Sequence, residues 1–160
     1  MQMEKMNEID FKPLVLAPEK IKAYGVRYDE SIFYCWDDET TPLYDKDPSL
    51  GGKLFTGLLY DYFCDSDDIS WYEYYTEGYG DGEYVTFYPN GKISSYCIMK
   101  GYAFIGKLYK WHENGKLKAF SEKDENNKYI KSIEWNENGD IVYLLEDGVV
   151  KINKLYLYGR

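Results

Sequence analysis

Hydrophobic and polar residues alternate singly through Glu83–Tyr88, where Val85 and Phe87 stand between Tyr84, Thr86 and Tyr88. Single alternation is the pattern of a strand with one face against a core and the other toward solvent. Asn90-Gly91 follows, a pair that accepts the positive φ of a tight turn, and a second run opens at Ile93, so the stretch predicts a β-hairpin. The same arrangement recurs in Gly106–Leu117 (GKLYKWHENGKL) and Ile130–Ile141 (IKSIEWNENGDI). The Asn-Gly pairs begin at 90, 114 and 138, and Phe87, Trp111 and Trp135, like Ile93, Leu117 and Ile141, keep the step of 24. Phe63 and Ile69 continue it backwards as a weaker copy.

A step held at several positions at once predicts a repeat protein. The expected fold is all-β, with repeated antiparallel β-hairpins at a period of 24 residues forming a twisted or curled meander sheet. Strands are expected at Glu83–Tyr88, Lys107–His112 and Lys131–Asn136. Val85, Tyr109 and Ile133 and the aromatics two residues on supply a buried face, and Thr86, Lys110 and Glu134 the solvent face. One hairpin is marginal alone, so the copies must pair edge to edge or stack.

Upstream the alternation weakens. Residues 1–21 read as an N-terminal arm, in which Phe11–Pro18 is an edge strand or extended segment and Pro18-Glu19-Lys20 opens one helical turn. Lys22–Tyr28 and Ile32–Trp36 suggest a hairpin about Asp29-Glu30. Asp37–Gly52, with Pro42, Pro48 and Gly51-Gly52, reads as a surface loop. Leu54–Cys64 and Ile69–Thr76 are strands about Asp65-Ser66-Asp67-Asp68, Glu122–Lys128 is a charged connection, and Asp140–Glu146 and Val149–Tyr158 close the chain about Asp147-Gly148. Residues 1–160 are expected to form a single β-repeat domain, with 53–146 its recognisable repeats.

Composition narrows the function. At 160 residues there is room for one sizeable core, and an aromatic content of 19% suits strands. A formal charge of -9 argues against nucleic acid and anionic membranes as partners. The three cysteines, Cys35, Cys64 and Cys97, lack metal-ligand spacing and suit reduced thiols in the cytoplasm. No signal-peptide pattern or membrane-length apolar run is seen in the sequence.

Catalytic and cofactor motifs are absent as patterns. His112, the sole histidine, falls beside a predicted turn on the polar face and reads as an exposed surface residue. The His112-Glu113 pair lacks a second histidine, and Ser66, Ser94 and Ser95 have no nucleophile-elbow context. The Asp65–Asp68 cluster reads as a solvated turn in preference to a calcium loop, since the glutamate of such a loop is missing. No metal, cofactor or catalytic residue is assigned, and the chain is read as a non-enzyme.

Charge is uneven along the chain. Leu54–Gly91 holds 8 acidic and no basic residues, whereas Lys92–Arg160 holds 9 acidic and 12 basic ones. Tyr60, Tyr62, Tyr72 and Tyr74 fall in the acidic region, and counting from Phe87 and Trp111 assigns them to the opposite side of the sheet. Two readings of these tyrosines stand open: a second core covered by a curled sheet or the N-terminal segment, or an exposed patch for a basic protein. The candidate partner-binding site on the second reading is Tyr60, Asp61, Tyr62, Asp65, Asp67, Asp68, Tyr72, Glu73 and Tyr74.

Phe55-Thr56-Gly57, Gly78–Gly82 followed by EYVTFYPNGKI, and Gly106 followed by KLYKWHENGKL resemble the variant MORN repeats of bacterial YwqK-type antitoxins and immunity proteins. The resemblance covers roughly Lys53–Glu146 and departs from the pattern at Asp65–Asp68 and at Ile130, where the repeat glycine is missing. It implies an antitoxin or immunity protein that binds and neutralises a cognate basic, nuclease-like toxin, the acidic region imitating a polyanion. A structural or adaptor protein-binding module, and a small enzyme with dispersed carboxylates and tyrosines, are the other readings.

Overall fold

The computed structural model describes residues 9, 11–29, 33 and 41–154. A short helix, α1 (Pro18–Tyr24), leads into a two-residue strand, β1 (Val26–Arg27). Nine strands follow: β2 (Gly57–Tyr62), β3 (Ile69–Thr76), β4 (Tyr79–Phe87), β5 (Ile93–Gly101), β6 (Ala103–Trp111), β7 (Leu117–Lys123), β8 (Tyr129–Trp135), β9 (Ile141–Glu146) and β10 (Val149–Asn153). All ten strands form one open sheet in sequence order, antiparallel except where β1 lies parallel to β2.

Three hairpins turn in the same way. Tyr88 N–H donates to the Lys92 carbonyl, His112 N–H to Lys116 and Asn136 N–H to Asp140, with Gly91, Gly115 and Gly139 at positive φ in the turns. Asn90 and Asn114 each accept the N–H two residues on, at 2.9 Å, which holds the turn in shape. At the opposite edge the connections differ: Glu77-Gly78 and Asp147-Gly148 are tight, whereas Asp124–Lys128 is a longer turn with Asn127 at φ 64°.

Each hairpin also carries a bulge beside its turn. Thr86 pairs with Ser95 but Phe87 with Ile93, which leaves Ser94 extra; Ser70, Lys118 and Val142 are the extra residues of the other hairpins. One inserted residue reverses the parity of the strand. Ile93 and Tyr96 therefore face the same side. The resulting row Tyr60, Tyr72, Val85, Tyr96, Tyr109, Phe120, Ile133 and Leu144 runs straight across the sheet.

This row corrects one expectation from counting. Tyr60 and Tyr72 are not opposite Phe87; the Tyr72 and Phe87 rings lie 6.2 Å apart on one face. That face, the front, is the main core, and Val85, Tyr109, Trp111 and Ile133 are buried in it as expected.

The segment before α1 crosses the front face as a strap. Phe11 stacks on Tyr109 at 4.4 Å and meets Tyr96 at 5.5 Å, Val15 and Leu16 pack on the Tyr72–Phe87 group, and Ile21 of α1 is fully buried there. Of the two readings of the tyrosines, the covered core is the one observed. The expected strand over Lys22–Tyr28 is divided: Lys22, Ala23 and Tyr24 end α1, and only Val26–Arg27 is strand. Pro18 supplies a helix-compatible φ at the first turn, and Ile21 gains more by docking on Tyr60 and Tyr72 than an edge strand would offer. The return strand Ile32–Trp36 lies outside the described residues apart from Phe33, as do residues 155–158 of the last expected strand.

A second layer covers the back face at the β2–β3 end. Phe33, Leu43 and Phe55 pack with Leu59, Trp71 and Tyr75. Leu43 N–H donates to the Gly78 carbonyl and Gly78 N–H to the Phe55 carbonyl, tying the loop to the β3–β4 turn. A side chain at Gly78 would strike Pro42 and Leu43. His112 is half-buried and in hydrogen-bond contact, 3.0 Å, with the Trp135 carbonyl of the next hairpin, unlike the free surface residue expected.

Candidate functional site

The nine residues of the expected partner site do not form one patch: Asp61, Tyr62, Asp65 and Asp67 border one surface hollow, whereas Glu73 lies on the back face. Tyr60 and Tyr72 are buried in the front core, with Tyr72 at 0% exposure, and Tyr62 and Tyr74 are half-buried against the same cluster. Tyr72 is also fixed chemically: its hydroxyl donates to Glu83 Oε2 at 3.1 Å and accepts Leu16 N–H from the strap at 3.3 Å. Tyr96 donates to the other Glu83 oxygen at 3.1 Å, and burial followed by the Glu83 charge pushes its phenol up to about 12.

Asp65, Asp67 and Asp68 are exposed on the β2–β3 turn. The surroundings of this turn are not uniformly acidic. Arg27 Nε pairs with Asp61 at 3.3 Å, Lys22 Nζ donates to the Asp67 carbonyl at 3.0 Å, and both cations lie about 5 Å from the Tyr62 ring. Asp81 belongs to the opposite edge of the sheet, paired with Lys100 at 2.9 Å, which holds its carboxyl below the usual range. Register thus scatters the acidic segment over two faces and two edges.

Glu73 is the residue that register removes furthest from its expected companions. Its neighbours Tyr72 and Tyr74 point to the front, so Glu73 points to the back, 8% exposed beside Leu59 of β2 and Tyr84 of β4. Desolvation pushes its carboxyl up to about 7, against the opposing effect of a hydrogen bond with Tyr75. Gly80 makes room for it: a Cβ there would collide with Glu73 Oε1 and crowd the Gly101 carbonyl.

The carboxyl lines a cavity of about 460 Å³ on the back face, whose walls include Tyr28, Trp71, Tyr75, Tyr79 and Tyr102. The Tyr28 and Trp71 rings are 6.3 Å apart and those of Tyr79 and Tyr102 5.4 Å apart. Of this group only Glu73 was singled out from the sequence. The readable signal was a carboxylate flanked at two-residue spacing by Trp71 and Tyr75 in one strand, a charge on an otherwise aromatic face.

Farther along the back face, Lys123 Nζ lies 3.9 Å from the Phe104 ring centre and 5.0 Å from that of Tyr129. Beyond them the edge opposite the Asn-Gly turns exposes Tyr102, Ile105, Tyr129, Ile130, Val149 and Val150. Among the described residues no cluster of side chains has the makings of a metal site, and no helix is long and apolar enough to cross a membrane. Comparison of the chain with family models, with curated proteins and with solved structures finds no match.

Proposed function

We propose that the chain is a protein-binding module that works without catalysis, and that its hairpins are copies of one 24-residue unit. The alike turns at Tyr88–Lys92, His112–Lys116 and Asn136–Asp140 support the second part. The first rests on the apolar edge. Tyr102, Ile105, Tyr129 and Val149, at or beside the connections that precede β6, β8 and β10, are each between 46% and 58% exposed. Apolar groups lined up in this way suit an interface, because their contact with a partner removes them from water. A partner with a complementary apolar strip would dock there.

Capture from the source cell tests this reading. Ile105→Lys and Tyr129→Lys change exposed side chains and leave the core intact, so both variants are expected to fold. Wild type should retain a protein that both variants lose. Equal retention by all three, or no retained protein, overturns the reading.

A narrower form makes the partner a toxin and the chain its cytoplasmic antitoxin or immunity protein. The resemblance to YwqK-type repeats supports it, as do the exposed carboxylates of Asp65, Asp67 and Asp68 and the free thiols of Cys64 and Cys97. On this form, reversing the three aspartates to Lys slows association with a basic partner, whereas reversing Lys107, Lys116, Lys118 and Lys131 does not.

A further inference from the structure

Buried carboxyl groups in sheets are normally matched by a cation or by several hydrogen-bond donors, because taking the charge out of water is costly. Glu83, half-buried on the front face, has two phenol donors. Glu73 lacks that match: the one side-chain hydrogen bond acting on its titration is that of Tyr75, and among the described residues no basic side chain lines its cavity. The walls around it include the rings of Trp71, Tyr75, Tyr79 and Tyr102 beside Leu43 and Met99. A carboxylate lining one cavity with several aromatic rings is a chemistry that recognises an organic cation, since ring quadrupoles and the carboxylate attract the same charge while the rings shed water.

We propose that this cavity binds an alkylammonium group, with its charge against Glu73 and its carbon chain between the rings of Trp71, Tyr75 and Tyr79. Two sources carry that chemistry, a small organic amine and the side chain of a lysine in another protein. Tyr102 borders both this cavity and the apolar edge, but the proposal rests on Glu73, Trp71, Tyr75 and Tyr79 and does not depend on that edge. At about 460 Å³ the cavity has room for either source.

The groups that face Glu73 fix the pH behaviour. Tyr75 on its own strand, Tyr84 on β4 and Cys97 on β5 are all raised by burial, Cys97 to about 11, and Leu59 of β2 does not titrate. Glu73 is therefore the group of this set that changes charge near neutrality. Binding a cation favours its ionised form, so affinity should rise about tenfold from pH 6 to pH 8.

Amide shifts of the full-length protein, titrated with n-butylammonium chloride or a short lysine-containing peptide against sodium chloride at equal ionic strength, test this. Saturable shifts at Glu73, Tyr75, Gly80 and Met99, but not at Asp67 or Asp68, are expected with at least one probe. Response to the free amine assigns a small ligand, and response to the peptide alone assigns a protein lysine. Glu73→Gln keeps the shape and should lose tenfold or more at pH 8 together with the pH dependence; Tyr79→Ala should weaken binding with the pH dependence kept. Absence of saturation with both probes, or an unchanged affinity in Glu73→Gln, overturns the proposal.

Discussion

Glu83 and Glu73 stand on opposite faces of the same few strands and are treated in opposite ways. Glu83 sits under the strap, each oxygen receiving a phenol O–H, in a row of side chains that closes the front core. Glu73 sits under a looser cover, where segment 41–56 folds over the back of β2 and β3 but leaves a cavity. The difference shows what a carboxyl needs when an element folds over it. Donors in register give Glu83 hydrogen-bond partners, whereas the setting of Glu73 leaves its carboxyl desolvated.

The largest effect expected on either side of that comparison is on the front. Trp111 is 8% exposed and stacks at 6.0 Å on Tyr109, which in turn carries Phe11 of the strap. Trp111→Ala should cost about 3–5 kcal/mol of unfolding free energy, read by urea denaturation. A loss under about 1 kcal/mol would mean that the front face is not the main core.

Next comes the back-face carboxyl. Its folded value near 7 lies above the 4.5 of an ordinary glutamate, so the native state holds the proton more tightly than the unfolded chain. The stabilising proton is fully present below about pH 4.5 and is lost as the pH rises through about 7. Relative to wild type, Glu73→Gln should match at about pH 4 and be more stable at about pH 8, by up to about 3 kcal/mol. Equal stabilities at both pH values would mean that Glu73 is hydrated.

The smallest effect separates surface from interior by reactivity. Cys64 is exposed beside the acidic turn, whereas Cys97 is buried on the back face and desolvation, then the Glu73 charge, push its thiol up to about 11. A thiol reagent at pH 8 should modify Cys64 quickly and Cys97 only as the protein unfolds. Matching rates at the two sites would show that the back face opens readily to solvent.

Strand positions were legible in the sequence because single alternation and Asn-Gly are local properties. The strand Ile69–Thr76 has the bounds that the sequence predicts, and the turns at 90, 114 and 138 stand where the Asn-Gly pairs are. Which side of the sheet a residue faces was less legible. Ser94 and its counterparts Ser70, Lys118 and Val142 insert one residue into each hairpin, and an odd insertion reverses every assignment counted past it. The residues of the expected site come together only in part, Asp61, Tyr62, Asp65 and Asp67 in one hollow, for this reason and one more: Tyr60 and Tyr72 are covered by a segment whose own alternation is weak, so nothing local announces the cover.

The sequence by itself determined the class of fold, the places of the hairpins and the apolar character of Val85, Tyr109 and Ile133, since backbone period and turn chemistry act over a few residues. Only the tertiary structure decided that Phe11, Val15 and Ile21 close the front, that segment 41–56 roofs the back, and that Glu73 lies in a ring-lined cavity away from Asp61 and Asp65. Those outcomes depend on contacts between residues far apart in the chain. Their energy comes from removing two apolar surfaces from water at once, a quantity that no single stretch of sequence contains.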